Sequence, residues 1–280
     1  MLTTTLDGLW VLQVLTGIEV LAPELGLRPH LPSVESKQMA LDHPITRELI
    51  DAGAIDAGGS VDETVLEWLT VLSRRDVALL LYVQTPAAAE GPNEPERVLL
   101  ARFAQWWVSL ERNGIQVRLG GVGTATTEQS AGLLINSQIE RLCGQMAPAA
   151  LKPVTIDVAE LLGAVRDPDS LRTYLVSHRF DSDQVGTLTL AADARRSAQA
   201  SVVAIQSGMP SGPARSHIQP GAVTIIDTPQ GRLVSEQVSG GGKTWMIVSP
   251  GSSANIASAV LTMMRNLPAH EDWYSYRKVV

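Results

Sequence analysis

The segment Ser239–Thr244, SGGGKT, has the ending of a phosphate-binding loop. In such a loop glycines let backbone N–H groups wrap a phosphate and the lysine reaches its oxygens. Six residues before Lys243, however, stands Gln237 rather than the first glycine, and the segment is flanked by strand-like sequence on both sides. A phosphate loop must run into a helix whose N-terminus faces the anion. A solvated hairpin turn is the better reading. Gly120–Gly123 lacks the third glycine of a dinucleotide fingerprint, and Ser249–Ala254, SPGSSA, lacks the G-x-S-x-G of a nucleophile elbow. Both read as strand-to-helix turns with a hydroxyl cap. His30, His43, His178, His217 and His270 are scattered, with none at i, i+4 from a carboxylate. They do not form a metal motif. The acidic pairs Asp62/Glu63 and Glu94/Glu96 fall on a helix start and a loop, where solvated charge is expected. No nucleophile, base and orienting group assemble, so neither catalysis nor a cofactor is expected.

Composition narrows the remaining classes. With 22 basic against 29 acidic residues the net charge is -7, and the basic residues are dispersed, which leaves no footprint for nucleic acid. The single Cys143 excludes an internal disulfide and a cysteine-rich zinc site, and its helical neighbours point to an inert, buried thiol. The N-terminus lacks a basic leader, and Asp7 interrupts its apolar stretch. No run approaches the roughly 18 apolar residues of a membrane span. A soluble cytosolic protein is expected.

The elements that position these residues occur twice. Slid along itself, the chain sets Ile50 on Leu175, Asp56 on Asp181, Val98 on Val223 and Ile135 on Val260, so Thr46–Cys143 matches Leu171–Pro268. TLDGLWVL from Thr5 likewise matches TIDVAELL from Thr155. We read a degenerate internal duplication. Each copy offers a short strand entering a helix, further helices, an apolar strand, a long Pro/Gly-rich loop, three hairpin strands and a closing amphipathic helix. A one-sided sheet must be covered. The expected fold is α+β: two pseudo-twofold halves with antiparallel sheets flanked by helices, residues 1–150 and 151–280, packed as one unit and sharing strand order.

Several details follow. Asp7, Asp62, Thr127, Asp157, Asp181 and Ser252 are candidate helix caps, with Asp169 or Ser170 capping a further helix. Asp56 and Asp181 are read as a shared turn or cap. Asn113–Gly114 is expected as a hairpin turn, and the proline-rich connection from Val20 to Pro44 as a surface wrap. Six of the twelve aromatics are tryptophan, and Trp106 and Trp107 stand side by side in a strand. They must face opposite sides of the sheet. One enters the core; the other is covered by the opposite half or marks a contact surface.

The opening TLDGLWVLQVLTGIEVLAPELGLRPHLP, the segments VLEWLT at Val65–Thr70, RFAQWWVSLER and VSPGS, and the ending WYSYRKVV together resemble the EspG proteins of mycobacterial type VII (ESX) secretion systems. The resemblance spans the whole chain and rests on overall pattern. It implies a non-enzymatic cytosolic chaperone that binds PE–PPE heterodimers through the tip of the PPE subunit and keeps them soluble for export. It also implies two related halves about a pseudo-twofold axis. The alternatives are a structural homo-oligomer using the open sheet, or an enzyme whose site is dispersed in sequence. For cargo docking the resemblance points to regions: the loop Thr85–Pro95 and the helices between Asp157 and Ala192. Within the loop, Glu90, Asn93 and Glu94 are the candidate contacts. Trp107 and Gln105, taken to lie beside that loop, and Ser235 and Gln237 on the related strand, complete the expected surface.

Overall fold

A computed structural model describes residues 1–86, 95–208 and 216–278. In chain order its main elements are β1 (Leu2–Thr5), α1 (Leu6–Thr16), α2 (Lys37–Leu41), α3 (Ile45–Asp51), α4 (Glu63–Arg74), β2 (Val77–Gln84), β3 (Glu96–Phe103), β4 (Trp106–Asn113), β5 (Gln116–Thr124) and α5 (Glu128–Cys143). There follow β6 (Val154–Asp157), α6 (Val158–Ala164), α7 (Pro168–Ser177), α8 (Ser182–Ala192), β7 (Ala198–Gln206), β8 (His217–Ile218), β9 (Val223–Thr228), β10 (Gly231–Gly240), β11 (Lys243–Pro250) and α9 (Ser253–Arg265).

The strands form one antiparallel sheet in the order β1-β5-β4-β3-β2-β7-β9-β10-β11-β6, with β8 beside β7. Counted outward from the central β2–β7 pair, each half has the same order of strands. The seam itself is eight residue pairs long, from Val77↔Gln206 to Gln84↔Gln199.

Cross-strand partners share a face, so the register sorts the helices. Ala78 and Leu80 pair with Ile205 and Val203, and this face carries α1, α3 and α4 over the first half. Further along the same face, Leu233 pairs with Ile226, and α7 and α8 supply Leu171, Leu175, Val185 and Leu188 above them. Val77, Leu79, Leu81, Ala200 and Val202 point the other way, where α5 and α9 pack. That face also holds the fully buried Trp273.

Helix α4 shows how local sequence sets this up. Asp62 accepts a hydrogen bond from the N–H of Val65 at 3.1 Å, and Arg74 occupies the last turn. Val65, Leu69 and Leu72 recur at helical spacing and are buried, at about 1.5–3 kcal/mol each. The next residue after Val65, Leu66, turns outward and is 40% exposed.

Four expectations need correction. Thr5 Oγ1, not Asp7, caps α1, accepting from Gly8 N, because the strand runs directly into the helix and Asp7 falls in its first turn. Asp167, three residues before Ser170, caps α7 in place of Asp169 or Ser170. Asn113 pairs with Gln116, so the β4–β5 turn is Gly114–Ile115, one residue later than expected. The Val20–Pro44 connection does more than wrap a surface: Leu21, Ala22 and Leu25 are at most 1% exposed. Two arginines hold its backbone, Arg75 Nη1 donating to Leu21 O and Arg112 Nη1 to Leu25 O, both at 2.5 Å.

The same connection buries a carboxylate. Glu35, 8% exposed, accepts from Leu31 N at 2.7 Å and lies 2.8 Å from His30 Nδ1 and 2.7 Å from Arg28 Nη1. The Leu31 N–H, helped by His30 and Arg28 and opposed by burial, lowers its pKa to about 2. A carboxylate depressed from 4.5 contributes stability above that value and loses it as pH falls toward 2. Chemical denaturation between pH 6 and pH 3 should therefore show an acid-dependent loss that is smaller in Glu35→Gln. Identical slopes for the two proteins would contradict this assignment.

Candidate partner-binding clefts

The helices on the first face leave a half-buried strip across the middle of the sheet. Tyr82 on β2, Ser201 on β7 and Thr224 on β9 line up in register, and Ser235 on β10 continues the row. Ser201 and Thr224 hydroxyls lie 3.3 Å apart. This strip opens into a cleft of about 300 Å³ beneath α6–α8, with Gln199, Thr224, Ile226, Ser235 and Met246 on its sheet side. Leu161 and Leu162 of α6, Val165 just after it and Leu188 of α8 form the helical side. Among the described residues no charged one lines it.

Helix α6 explains the opening. Asp157 caps it, accepting from Ala159 N at 2.9 Å and bonded to Lys243 Nζ at 2.7 Å. The helix is only seven residues long yet carries apolar side chains on two sides. Ala164 is buried, whereas Leu162 is 70% and Val165 45% exposed. Leaving such side chains in water beside an apolar cleft marks a contact surface. The strand β2 ends at Gln84, paired with the cleft residue Gln199, so the connection to β3 leaves the sheet at this cleft.

A second cleft, of about 750 Å³, lies on the same sheet face over the first half. Helix α4 walls one side and Phe103 and Trp106 the other, with Gly121 and Gly123 of β5 below.

The expected contact residues divide between these places. Ser235 lines the second-half cleft and is 6% exposed, and Gln237 is exposed two residues along the same strand. Glu90, Asn93 and Glu94 lie outside the described residues. Gln105 is exposed in the turn between β3 and β4. It is not beside the Thr85–Pro95 loop: that loop joins the Glu96 end of β3, and Gln105 follows the Phe103 end, about 23 Å away along the strand. Trp107 is 1% exposed and belongs to the core under α5 and α9, so Trp106, at 51%, is the ring turned to solvent. The adjacent pair splits between faces as expected, with the opposite assignment. Leu162 and Val165 were missed; their signal is an apolar stripe on α6 out of phase with Leu161 and Ala164.

Of the motif-like segments, Ser249–Ala254 runs from the end of β11 through the Ser252 cap into α9 as expected, but Gly120–Gly123 lies inside β5 and is not a strand-to-helix turn, because its backbone stays paired with β4. Gly241 and Gly242, at φ 61° and 76°, close the β10–β11 hairpin. Cys143 is half-buried, and burial pushes its thiol up to about 11, far from a reactive thiolate. Among the described residues no group of three or more His, Cys, Asp or Glu could hold a metal, and no helix is long and apolar enough to cross a membrane.

The EspG family model matches residues 5–261 of the 280. This chain belongs to the EspG family. The EspG assignment is supported along the full length by relatives. It is 50% identical over 281 residues to the ESX-2 secretion-associated protein EspG2 of Mycobacterium tuberculosis, covering 100% of both chains. It is 28% identical over 302 residues to the ESX-5 secretion-associated protein EspG5 of Mycobacterium marinum, covering 99% of this chain and 97% of that one. Its fold matches a solved chain from the complex of the Mycobacterium tuberculosis type VII secretion system chaperone EspG5 with the PE25–PPE41 dimer. There the TM-score is 0.77 at 23% identity, over 98% of this chain and 99% of that one. The mixed fold with its large antiparallel sheet is thus the EspG fold.

Proposed function

We propose that this EspG-family chain is a cytosolic, non-enzymatic chaperone of type VII secretion that holds a PE–PPE heterodimer by the tip of its PPE subunit and keeps it soluble for export. The observation that carries the reading is the uncharged second-half cleft flanked by the exposed Leu162 and Val165. A helical hairpin tip presenting apolar side chains can dock there, its polar termini meeting Gln199, Thr224 and Ser235. The EspG5 complex with PE25–PPE41 supports the choice of partner. The uncharged lining supports a binding role, since an acid, base or nucleophile would have to be brought by the ligand. The Thr85–Pro95 loop, leaving the sheet beside the cleft, is proposed as an added contact through Glu90, Asn93 and Glu94. We also take residues 1–150 and 151–280 as two halves descended from one repeat, a reading supported by their common strand order.

Light scattering coupled to size exclusion tests this reading with a panel of purified mycobacterial PE–PPE heterodimers, PE25–PPE41 among them. One heterodimer is expected to bind one chain of 30.0 kDa. A chain that binds no member of the panel and instead forms a stable homo-oligomer through the second-half cleft would overturn it.

A further inference from the structure

We propose that the first-half cleft is a second docking site, and that it takes a basic amphipathic helix of another protein while cargo occupies the second-half cleft. The site has its own observations; the joint occupancy rests on the cargo assignment proposed above.

The cleft has apolar side chains in water on both walls: Leu66 of α4 is 40% exposed and Trp106 is 51% exposed. Its floor at β5 is Gly121, whose missing side chain leaves room for Trp68, whereas a Cβ on Gly123 would turn toward Leu134 of α5 on the other face of the sheet. A Cβ on Gly121 would stand 2.9 Å from Trp68 Nε1, so the indole lies directly over bare backbone. An incoming side chain therefore meets the Trp68 indole lying on the strand, with Phe103 and the Trp106 indole beside it, the arrangement of an aromatic-lined anchor pocket. Along α4 the lining residues Glu63, Leu66, Glu67 and Thr70 span two turns, about 10 Å of ridge. That length suits two turns of a helix lying alongside.

Charge selects the occupant. Glu63 and Glu67 are the charged residues lining the cleft, both acidic and both exposed, one turn apart on α4. Neither makes an ion pair among the described residues. Like charges at this spacing repel, and a lysine or arginine placed between them relieves the repulsion. A second copy of this chain, itself at net charge -7, is a poor occupant. Location allows joint occupancy. This cleft lies over the first half, at the Phe103–Trp106 end of the strands, whereas the cargo cleft lies over the second half, where β2 ends.

The test uses a 14-residue acetylated, amidated Leu/Lys helix with leucines at i, i+3, i+4 and i+7, and a Leu/Glu helix with the same apolar face. Binding to the full chain is followed by calorimetry at low salt and again in added salt. The Leu/Lys peptide is expected to bind, the Leu/Glu peptide at least about tenfold more weakly, with the difference shrinking in salt. Trp106→Ala or Leu66→Ser should weaken the Leu/Lys peptide about thirtyfold at unchanged thermal stability. Glu63→Gln/Glu67→Gln should erase most of the preference between peptides, about tenfold. Saturating PE–PPE heterodimer should leave the peptide affinity unchanged. Equal binding of the two peptides, insensitivity to both wall variants, displacement by PE–PPE, or concentration-dependent self-association lost in Trp106→Ala would each overturn the proposal.

Discussion

Asp76→Ala is expected to destabilise the protein by about 3–5 kcal/mol, among the largest single-residue effects available to this fold. Asp76 is 0% exposed and Arg102 1% exposed, at the end of the sheet where the C-terminal tail crosses the first half. The Asp76 carboxylate accepts from Ala104 N and Lys278 N, both at 3.0 Å, and Arg277 Nε stands 3.3 Å away. Arg102 Nη1 donates to Ala104 O at 2.8 Å and to Tyr274 O at 2.5 Å, and Nη2 donates to Tyr276 O. Burial pushes the Arg102 guanidinium down to about 10, against the pull of Asp76, so it is still charged at neutral pH. Removing the carboxylate leaves that cation buried without its counter-charge and two backbone donors without an acceptor. Urea denaturation gives the loss directly, and proteolysis should nick the released tail first. A change below about 1 kcal/mol would mean that solvent replaces the carboxylate at little cost.

Leu162→Asp is expected to raise the dissociation constant for PE–PPE on the order of a hundredfold while leaving stability within about 0.5 kcal/mol. The side chain is 70% exposed, so the free protein tolerates the charge. In the complex a carboxylate would be buried in a cleft where no charged residue among the described ones meets it. Leu133→Asp is the matched control, 66% exposed on α5 at the opposite face of the sheet, and should bind normally. If both variants bind like the parent, the cargo surface lies elsewhere; if both fail, the effect is one of net charge.

Much of this fold was legible because its signals are local. Caps at Asp62, Thr127, Asp157, Asp181 and Ser252 accept backbone N–H groups within a turn of chain, and each was read correctly. Asp56 and Asp181 do not share one structure: Asp56 accepts from Gly58 N and Ser60 N and closes a loop, whereas Asp181 accepts from Gln184 N and caps α8. The errors arose where distant chain decides. Alternation required Trp106 and Trp107 to face opposite ways, but which face is covered depends on α5 and α9, the latter more than 140 residues away. The tail carried part of the family resemblance but no signal of where it packs, since its partners Asp76 and Arg102 read as ordinary residues at strand ends. The candidate site was named only as a region, α6–α8 and the loop after β2, and on the family resemblance; a cleft does lie beneath α6–α8. Its anchors were not legible, because exposure of Leu162 follows from how three short helices share one stretch of sheet.

The β2–β7 seam has a consequence for synthesis. Its partners are 115 residues apart at Gln84↔Gln199 and 129 at Val77↔Gln206. At about 5–20 residues per second, β2 waits on the order of ten seconds before β7 leaves the ribosome. Through that interval Val77–Leu81, five consecutive apolar residues, presents an unpaired strand edge, the form in which nascent chains aggregate. Residues 1–150 made alone should carry that edge permanently. A protein whose proposed work is to shield the apolar surface of others thus spends its own birth in need of the same protection.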